Sequence, residues 1–493
     1  MTRQPFSLIA TVRLPDGTTV SVPAAIQAAA QLHHAGRLRK AEVIYKQVLQ
    51  AEPDNVDALH LMGLVACQFG NHETAVGLIG RAIKLNPKVA MFHNNLGQTY
   101  LTMGKPEEAI THCKEALALQ PDFPEAYYNL AMALRAQGRL DEAIVCFEHA
   151  VRLKSDFIGA WVGLAETLHK QGKGDEALAA CQNVLSRHPD DAALLSSMGI
   201  LLRALGRVDD AIAHYKKAIA LRPDIPELHN NLAIAYKAQG NLAEAAACYR
   251  RVLELRPNDE SARHLLNAMQ QSMSDYAPQG YVQETFDNYA EKFDQHLTEK
   301  LEYRVPQLLG EAVKGVPERS NGGKFDILDL GCGTGLMGVE LRDISRRLVG
   351  IDLSPKMIAK ARERSIYDQL VVGDLFEQLA KLEPDGFDLL TSADVFVYIG
   401  NLTPIFEQCY RILRPQGLLA FSVEALPDEE KDFHLATTGR YQQSRAYIGK
   451  LSQRFGFSEM YFAPIQSRKE EGKPVSGYLY LLLKQANRTE PTS

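Results

Sequence analysis

"FHNNLGQTYLTMGKPEEAITHCKEALALQP", Phe92–Pro121, contains a short polar-then-apolar word, His93–Leu96, that returns as His229–Leu232. The two copies lie 229 − 93 = 136 residues apart, which is four intervals of 34. With Ala90 as position 1, Leu96, Gly97, Tyr100, Ala109, Ala116 and Pro121 fall at positions 7, 8, 11, 20, 27 and 32. The same frame runs without a gap from starts at 22, 56, 90, 124, 158, 192 and 226. Position 20 is Ala41, Ala75, Ala109, Ala143, Ala177, Ala211 and Ala245, and position 15 is glycine each time, from Gly36 to Gly240. Alanine lets two helix backbones close on each other, and glycine supplies the left-handed residue that ends a helix. A fixed period of this length predicts stacked helix pairs, each covering the apolar face its neighbour leaves.

These positions resemble the tetratricopeptide (TPR) repeat. The resemblance implies an all-α solenoid of seven 34-residue repeats over residues 22–272, with "ESARHLLNAMQQS" (260–272) as the capping helix. Ahead of it, residues 1–21 carry "FSLIATVRLPDGTTVSV", whose alternation around Pro15-Asp16-Gly17 predicts a β-hairpin. Such a hairpin either packs on the first repeat or pairs with a second copy of the chain as a homodimer.

An apolar stripe at positions 4, 7, 8 and 11 leaves positions 2, 6, 9 and 13 on the opposite side of each first helix. Position 6 is Asn95, Asn129 and Asn231; position 12 is Arg135, His169, Arg203 and Lys237 in successive repeats. The asparagines resemble the ladder of the O-linked N-acetylglucosamine transferase solenoid, which implies amides that pair with a bound peptide backbone. A basic row favours acidic segments. Ordinary solvated side chains are the competing reading of both rows. Histidines 33, 34, 60, 93, 112 and 149 do not recur at metal-ligand spacing and read as core or surface residues.

Past residue 273 the period stops. "DYAPQGYVQETFDNYAEKFDQHLTEKLEYRVPQLLGEAVKG" (275–315) reads as a joining segment and amphipathic helices within 273–318, followed by a domain over 319–485 and a disordered tail, 486–493. In "KFDILDLGCGTGLMGVEL" (324–341) a strand, Phe325–Leu330, runs into a glycine-rich turn and a helix. Gly333, Gly335 and Gly338 satisfy the GxGxxG dinucleotide pattern. The longer word "LDLGCGTG" (328–335) places Asp329 two residues before Gly331. An acid there repels a pyrophosphate but suits the α-amino group of a methionine moiety.

That word resembles the first motif of class I S-adenosylmethionine-dependent methyltransferases, which implies a Rossmann-like α/β domain that binds S-adenosyl-L-methionine. Glycines Gly331 and Gly333 then allow close backbone approach. Asp352, ending the second strand, meets the ribose hydroxyls, and Asp374, ending the third, meets the adenine, with Leu353 and Leu375 beside them. Gln416 stands where the family commonly has glycine. The stretch "TFDNYAEKFDQHL" resembles the helix that covers the cofactor in quinone-biosynthesis methyltransferases, which implies Tyr289 in the pocket. For an acceptor proton the candidates are Asp394 and Tyr398 after strand four, and His434 in the insertion between strands five and six. The whole chain resembles predicted bacterial methyltransferases containing TPR repeats.

Composition bounds the rest. A net charge of −6 argues against a general nucleic-acid binder. Seven cysteines without a CxxC pair argue against structural zinc and suit a reducing, cytoplasmic setting. No signal peptide is read at the N-terminus, and no stretch approaches the ~18 apolar residues of a membrane span. The first expectation is a methyltransferase whose solenoid presents a protein or peptide acceptor. The alternatives are a small-molecule acceptor with the solenoid used for assembly or dimerisation, and a scaffold without activity.

Overall fold

Every first helix of the 34-residue frame begins at its position 1: Val22–His34, Val56–Gln68, Ala90–Thr102, Pro124–Ala136, Ile158–Lys170, Ala192–Ala204 and Pro226–Gln239. The second helices keep the same interval: Leu38–Ala51, His72–Leu85, Pro106–Leu119, Leu140–Leu153, Gly174–Leu185, Val208–Leu221 and Leu242–Leu255. Glu260–Gln270 is the capping helix. The computed structural model describes residues 11–13, 17–272, 274–290, 293–295, 303–316, 324–470 and 473–485. The outer parts of the expected hairpin, parts of the joining segment and the expected tail 486–493 lie outside the described residues.

The repeat chemistry acts as its residue types dictate. All seven position-15 glycines take φ between 69° and 85°, and all seven position-20 alanines are fully buried. At position 8, a Cβ on Gly97 would come within 2.7 Å of Cys113 Sγ on the second helix of its own repeat. The chain divides into two compact units, Met1–Pro223 and Asp224–Ser493. The first holds six helix pairs; the seventh pair and the capping helix belong to the second.

In the first unit, β1 (Thr11–Arg13) pairs antiparallel with β2 (Thr19–Ser21). Val12 is buried in one core with Val22, Ala25 and Tyr45, so the hairpin packs on the first repeat. In the second unit a mostly parallel sheet comprises β3 (Phe325–Leu330), β4 (Ser345–Asp352), β5 (Gln369–Val372), β6 (Phe387–Ser392) and β7 (Leu413–Ala425). It continues through β8 (Phe433–Leu435), β9 (Tyr441–Gln443), β10 (Phe457–Glu470) and β11 (Lys473–Lys484). The order is β10-β11-β7-β6-β3-β4-β5, with β11 antiparallel to both β7 and β10. Alternating side chains fill two cores: Leu328, Leu330, Leu390 and Phe421 on one face, Ile327, Leu348, Leu389 and Leu479 on the other. The strand order reverses at β3, and a ligand of such a sheet lies beyond the carboxyl ends at that reversal.

One strand end differs from expectation. The third parallel strand stops at Val372, and Asp374 instead caps the helix Leu375–Ala380 by accepting the Glu377 amide at 3.1 Å. The edge strand β10 runs to Glu470, paired with β11 through a register shift between Gln466 and Arg468. Gln416, in place of glycine, adopts φ 65°. Among the described residues no helix is long and apolar enough to cross a membrane.

Candidate functional site

The carboxyl ends of β3, β4 and β6 open into a cavity of about 1040 Å³. From β3 comes the glycine turn. Gly331 takes φ 67°, and a Cβ there would stand 2.3 Å from Val395 Cγ2. Gly333 takes φ 53°, and its nearest neighbour to a built Cβ is Phe293 at 3.9 Å, so its backbone is bare toward the cavity. From β4 comes Asp352, whose Oδ2 accepts the Gly333 amide and whose Oδ1 accepts the Ser354 amide, both at 2.8 Å. Burial raises its pKa to about 6 against those two hydrogen bonds.

Gly331, Gly333, Asp352, Leu353, Asp374 and Leu375 all line this one cavity, as does Tyr289 from the helix Gln279–Tyr289. Asp329 does not. It is 1% exposed beneath the turn, and its two oxygens accept the Tyr367 hydroxyl at 2.7 Å and the Thr391 hydroxyl at 2.9 Å. Burial raises its pKa too, to about 6. The acid that makes the sequence word specific therefore faces away from the cavity and holds Tyr367, which packs against Gly335 and Gly338. The covering segment is tied down by charge: Asp294 accepts from Thr334 and from Arg364, and Asp287 accepts the Ser354 hydroxyl at 2.5 Å.

The far end of the cavity is built around Asp394, which follows β6 with a left-handed φ of 56°. Its Oδ1 accepts the Ser422 hydroxyl at 2.8 Å and its Oδ2 accepts Arg468 Nη1 at 3.1 Å. Arg468 also donates to Glu424, and Arg440 donates to Glu470 at 2.6 Å. Tyr398 and Tyr303 line the same end, with the Tyr398 hydroxyl 3.4 Å from Arg440 Nε. Burial pushes Glu470 upward, but Arg440, Arg468 and Lys237 outweigh it and hold it below the usual glutamate range. In this cluster three carboxylates (Asp394, Glu424, Glu470) face two guanidinium groups (Arg440, Arg468).

His434 sits on β8 opposite Gln442 and is not among the lining residues. Sequence reasoning missed Arg440, Arg468, Glu424, Glu470 and Tyr303. Arg468 is 468 − 394 = 74 residues from its partner Asp394, and only the pairing of β10 across β11 to β7 brings the two together.

The solenoid positions are placed as follows. Asn129 is buried and donates to Asn94 Oδ1 at 2.9 Å, while Asn95 meets His60 Nε2 at 2.8 Å. Both amides thus link neighbouring repeats. Arg135 pairs with Glu166 of the next repeat at 2.6 Å, and Arg203 stands beside Tyr215. Asn231 and Lys237 belong to the seventh first helix, in the unit that holds the cavity. In that unit the capping helix reaches the α/β domain: His264 Nε2 donates to the Gly439 carbonyl at 2.9 Å.

Residues 328–421 match a family profile described as a methyltransferase domain. Profiles described as tetratricopeptide repeats match residues 88–156, 134–199 and 226–259. The chain is 29% identical over 143 residues to the biotin biosynthesis bifunctional protein BioHC of Saccharophagus degradans, covering 29% of this chain and 24% of that one. It is 32% identical over 117 residues to the malonyl-[acyl-carrier protein] O-methyltransferase of Serratia marcescens, covering 24% and 44%. It is 30% identical over 128 residues to a ubiquinone biosynthesis O-methyltransferase of Xanthomonas euvesicatoria, covering 25% and 51%. The chain thus spans about half or less of the length of these relatives. Among solved structures, a tetratricopeptide repeat protein from Parabacteroides merdae is 20% identical with a TM-score of 0.43, covering 50% of this chain and 98% of that one.

Proposed function

We propose, for a chain that joins tetratricopeptide repeats to a class I methyltransferase domain, that the second unit methylates a hydroxyl of a small, uncharged acceptor with S-adenosyl-L-methionine. The repeats then bind a partner protein. The observation that carries the acceptor class is the cavity itself. At about 1040 Å³ it stands at the upper end of single-ligand pockets, ~300–1,000 Å³, so it has room for a cofactor and a second small ligand. Phe286, Phe293, Tyr303 and Tyr398 give that room apolar walls. Its guanidinium groups are already matched by carboxylates, so it offers no surplus positive charge to an anionic acceptor.

The residues present fit the cofactor. The bare Gly333 backbone leaves a cradle that a side chain would fill, and Asp352 carries lone pairs for the two ribose hydroxyls beyond those that hold the turn. Leu353, Leu375, Tyr289 and Asp374 line the same cavity and would hold the adenosine. The cofactor supplies a methyl group on a sulfonium, reactive toward in-line displacement. The protein supplies alignment and a dry site. Asp394 would accept the hydrogen bond of an acceptor hydroxyl and hold its proton; Ser422 and Arg468 fix the carboxylate in place.

Labelled methyl transfer to a panel of phenols, carboxylic acids and peptides tests this reading. Incorporation into a neutral phenol, abolished by Asp394→Asn with S-adenosylhomocysteine binding retained, supports it. Incorporation only into a carboxylate or a protein overturns it.

A further inference from the structure

Outside the cavity, the third helix pair gathers two histidines and a glutamate. His93 lies on Ala90–Thr102; His112 and Glu115 lie one turn apart on Pro106–Leu119. His93 Nδ1 stands 2.7 Å from Glu115 Oε2, and His112 Nδ1 donates to the same oxygen at 3.1 Å, through a proton that a bound cation would replace. The three donor atoms lie within 4.8 Å of one another. Tyr100 stacks on the His112 ring with an interplanar angle of 4°, which orients it.

The tautomer of His93 follows from its other nitrogen. Nε2 is 3.1 Å from the Pro87 carbonyl, which only accepts, so Nε2 carries a proton and Nδ1 presents a lone pair. The His93 side chain is 7% exposed, and Nδ1 makes no hydrogen bond although a carboxylate oxygen is 2.7 Å away. A lone pair facing a carboxylate at that distance calls for a cation. A second proton on Nδ1 would need the oxygen close to the N–H direction, and the oxygen stands off it. A metal ~2.1 Å from both atoms also stands off the line that joins them, which accounts for the misalignment. A backbone carbonyl on the remote ring nitrogen is the usual support of a ligating histidine.

We infer that His93, His112 and Glu115 bind one divalent transition-metal cation of the Zn²⁺ class. Imidazole and carboxylate donors favour such ions over Ca²⁺ or Mg²⁺. Three protein ligands leave a coordination position open, and the half-exposed Glu115 puts that position within reach of solvent or of a donor from a bound protein. The other copy of the tetrapeptide is its internal control. His229 also holds position 4, but the positions matching His112 and Glu115 are Cys248 and Arg251, and an arginine cannot ligate a cation.

The test titrates Co²⁺ into the tag-free full chain, followed by visible absorption, with Zn²⁺ calorimetry alongside. Expected is one equivalent of bound metal with a Co²⁺ d–d band, weakened at least 10-fold in His112→Ala and in Glu115→Gln. Both substitutions alter partly exposed side chains, and unchanged S-adenosylhomocysteine binding and metal-free melting show that the variants are folded. Absence of stoichiometric metal in the wild-type chain overturns the site, as does equal binding in both variants.

Discussion

Asp352 Oδ2 accepts the Gly333 amide at 2.8 Å, so the end of one parallel strand holds open the glycine turn that follows its neighbour. One carboxylate thereby shapes the cradle and faces the cavity, and its protonation state governs both.

The pH dependence of cofactor binding follows from that position. Asp329 and Asp352 have pKa values of about 6 in the fold, above the ~3.9 of a free aspartate. Raised carboxylates favour the protonated fold, so their contribution to stability is full below about pH 4 and is lost as pH rises through 6. Binding runs the other way, since ribose hydroxyls need the ionised acid. S-adenosylhomocysteine affinity by calorimetry should rise from pH 5 to 7 by roughly 10-fold and then level off. Asp352→Asn should weaken binding ~10–100-fold, the worth of a charge-assisted hydrogen bond, and flatten the profile.

The two turn glycines should separate folding from binding. Gly331→Ala forces a left-handed alanine against Val395 and should destabilise the second unit by ~2–4 kcal/mol. Gly333→Ala meets only Phe293 at 3.9 Å and should cost ~1 kcal/mol in a melt. Its methyl fills the cradle, and S-adenosylhomocysteine binding should fall about 100-fold, the equivalent of ~3 kcal/mol.

Gln416→Gly should raise stability. A left-handed side-chain residue costs ~1–2 kcal/mol, and glycine removes that while adding ~0.5–1 kcal/mol of unfolded-chain entropy. Since Gln416 has φ 65°, the net gain is about 0.5–1 kcal/mol by denaturant melt, with cofactor binding unchanged.

Truncation should expose what the last repeat contributes. Residues 224–493 should fold and bind S-adenosylhomocysteine as the full chain does. Residues 273–493 lack His264, which leaves the Gly439 carbonyl without its donor. That fragment should melt lower, by at least the ~1–3 kcal/mol of one orphaned buried group; equal melting of the two fragments would show the seventh repeat and the capping helix to be dispensable.

What was legible in the sequence was whatever repeats or is local. The 34-residue frame predicts the first residue of all seven first helices, because the packing demands of alanine and glycine recur at fixed positions. The glycine word and Asp352 sit within one β-α-β unit, so their proximity follows from short connections. Asp329 shows the limit: its distance from Gly331 is readable, but whether it points into the cavity depends on Tyr367 and Thr391, the latter on a different strand. The Arg468–Asp394 pair depends on a register shift in an edge hairpin, which no local pattern records. In the solenoid, position 6 was legible as a row of amides. That Asn129 and Asn95 contact the preceding repeat depends on side chains across a helix boundary.

The bond from His264 to the Gly439 carbonyl ends one residue before Arg440, a cavity-lining guanidinium. The capping helix and this end of the cavity therefore meet at adjacent residues. Coupling between two such places is symmetric in free energy. Whatever factor an occupant of the cavity imposes on binding at the capping helix, a protein seated on that helix imposes on the occupant.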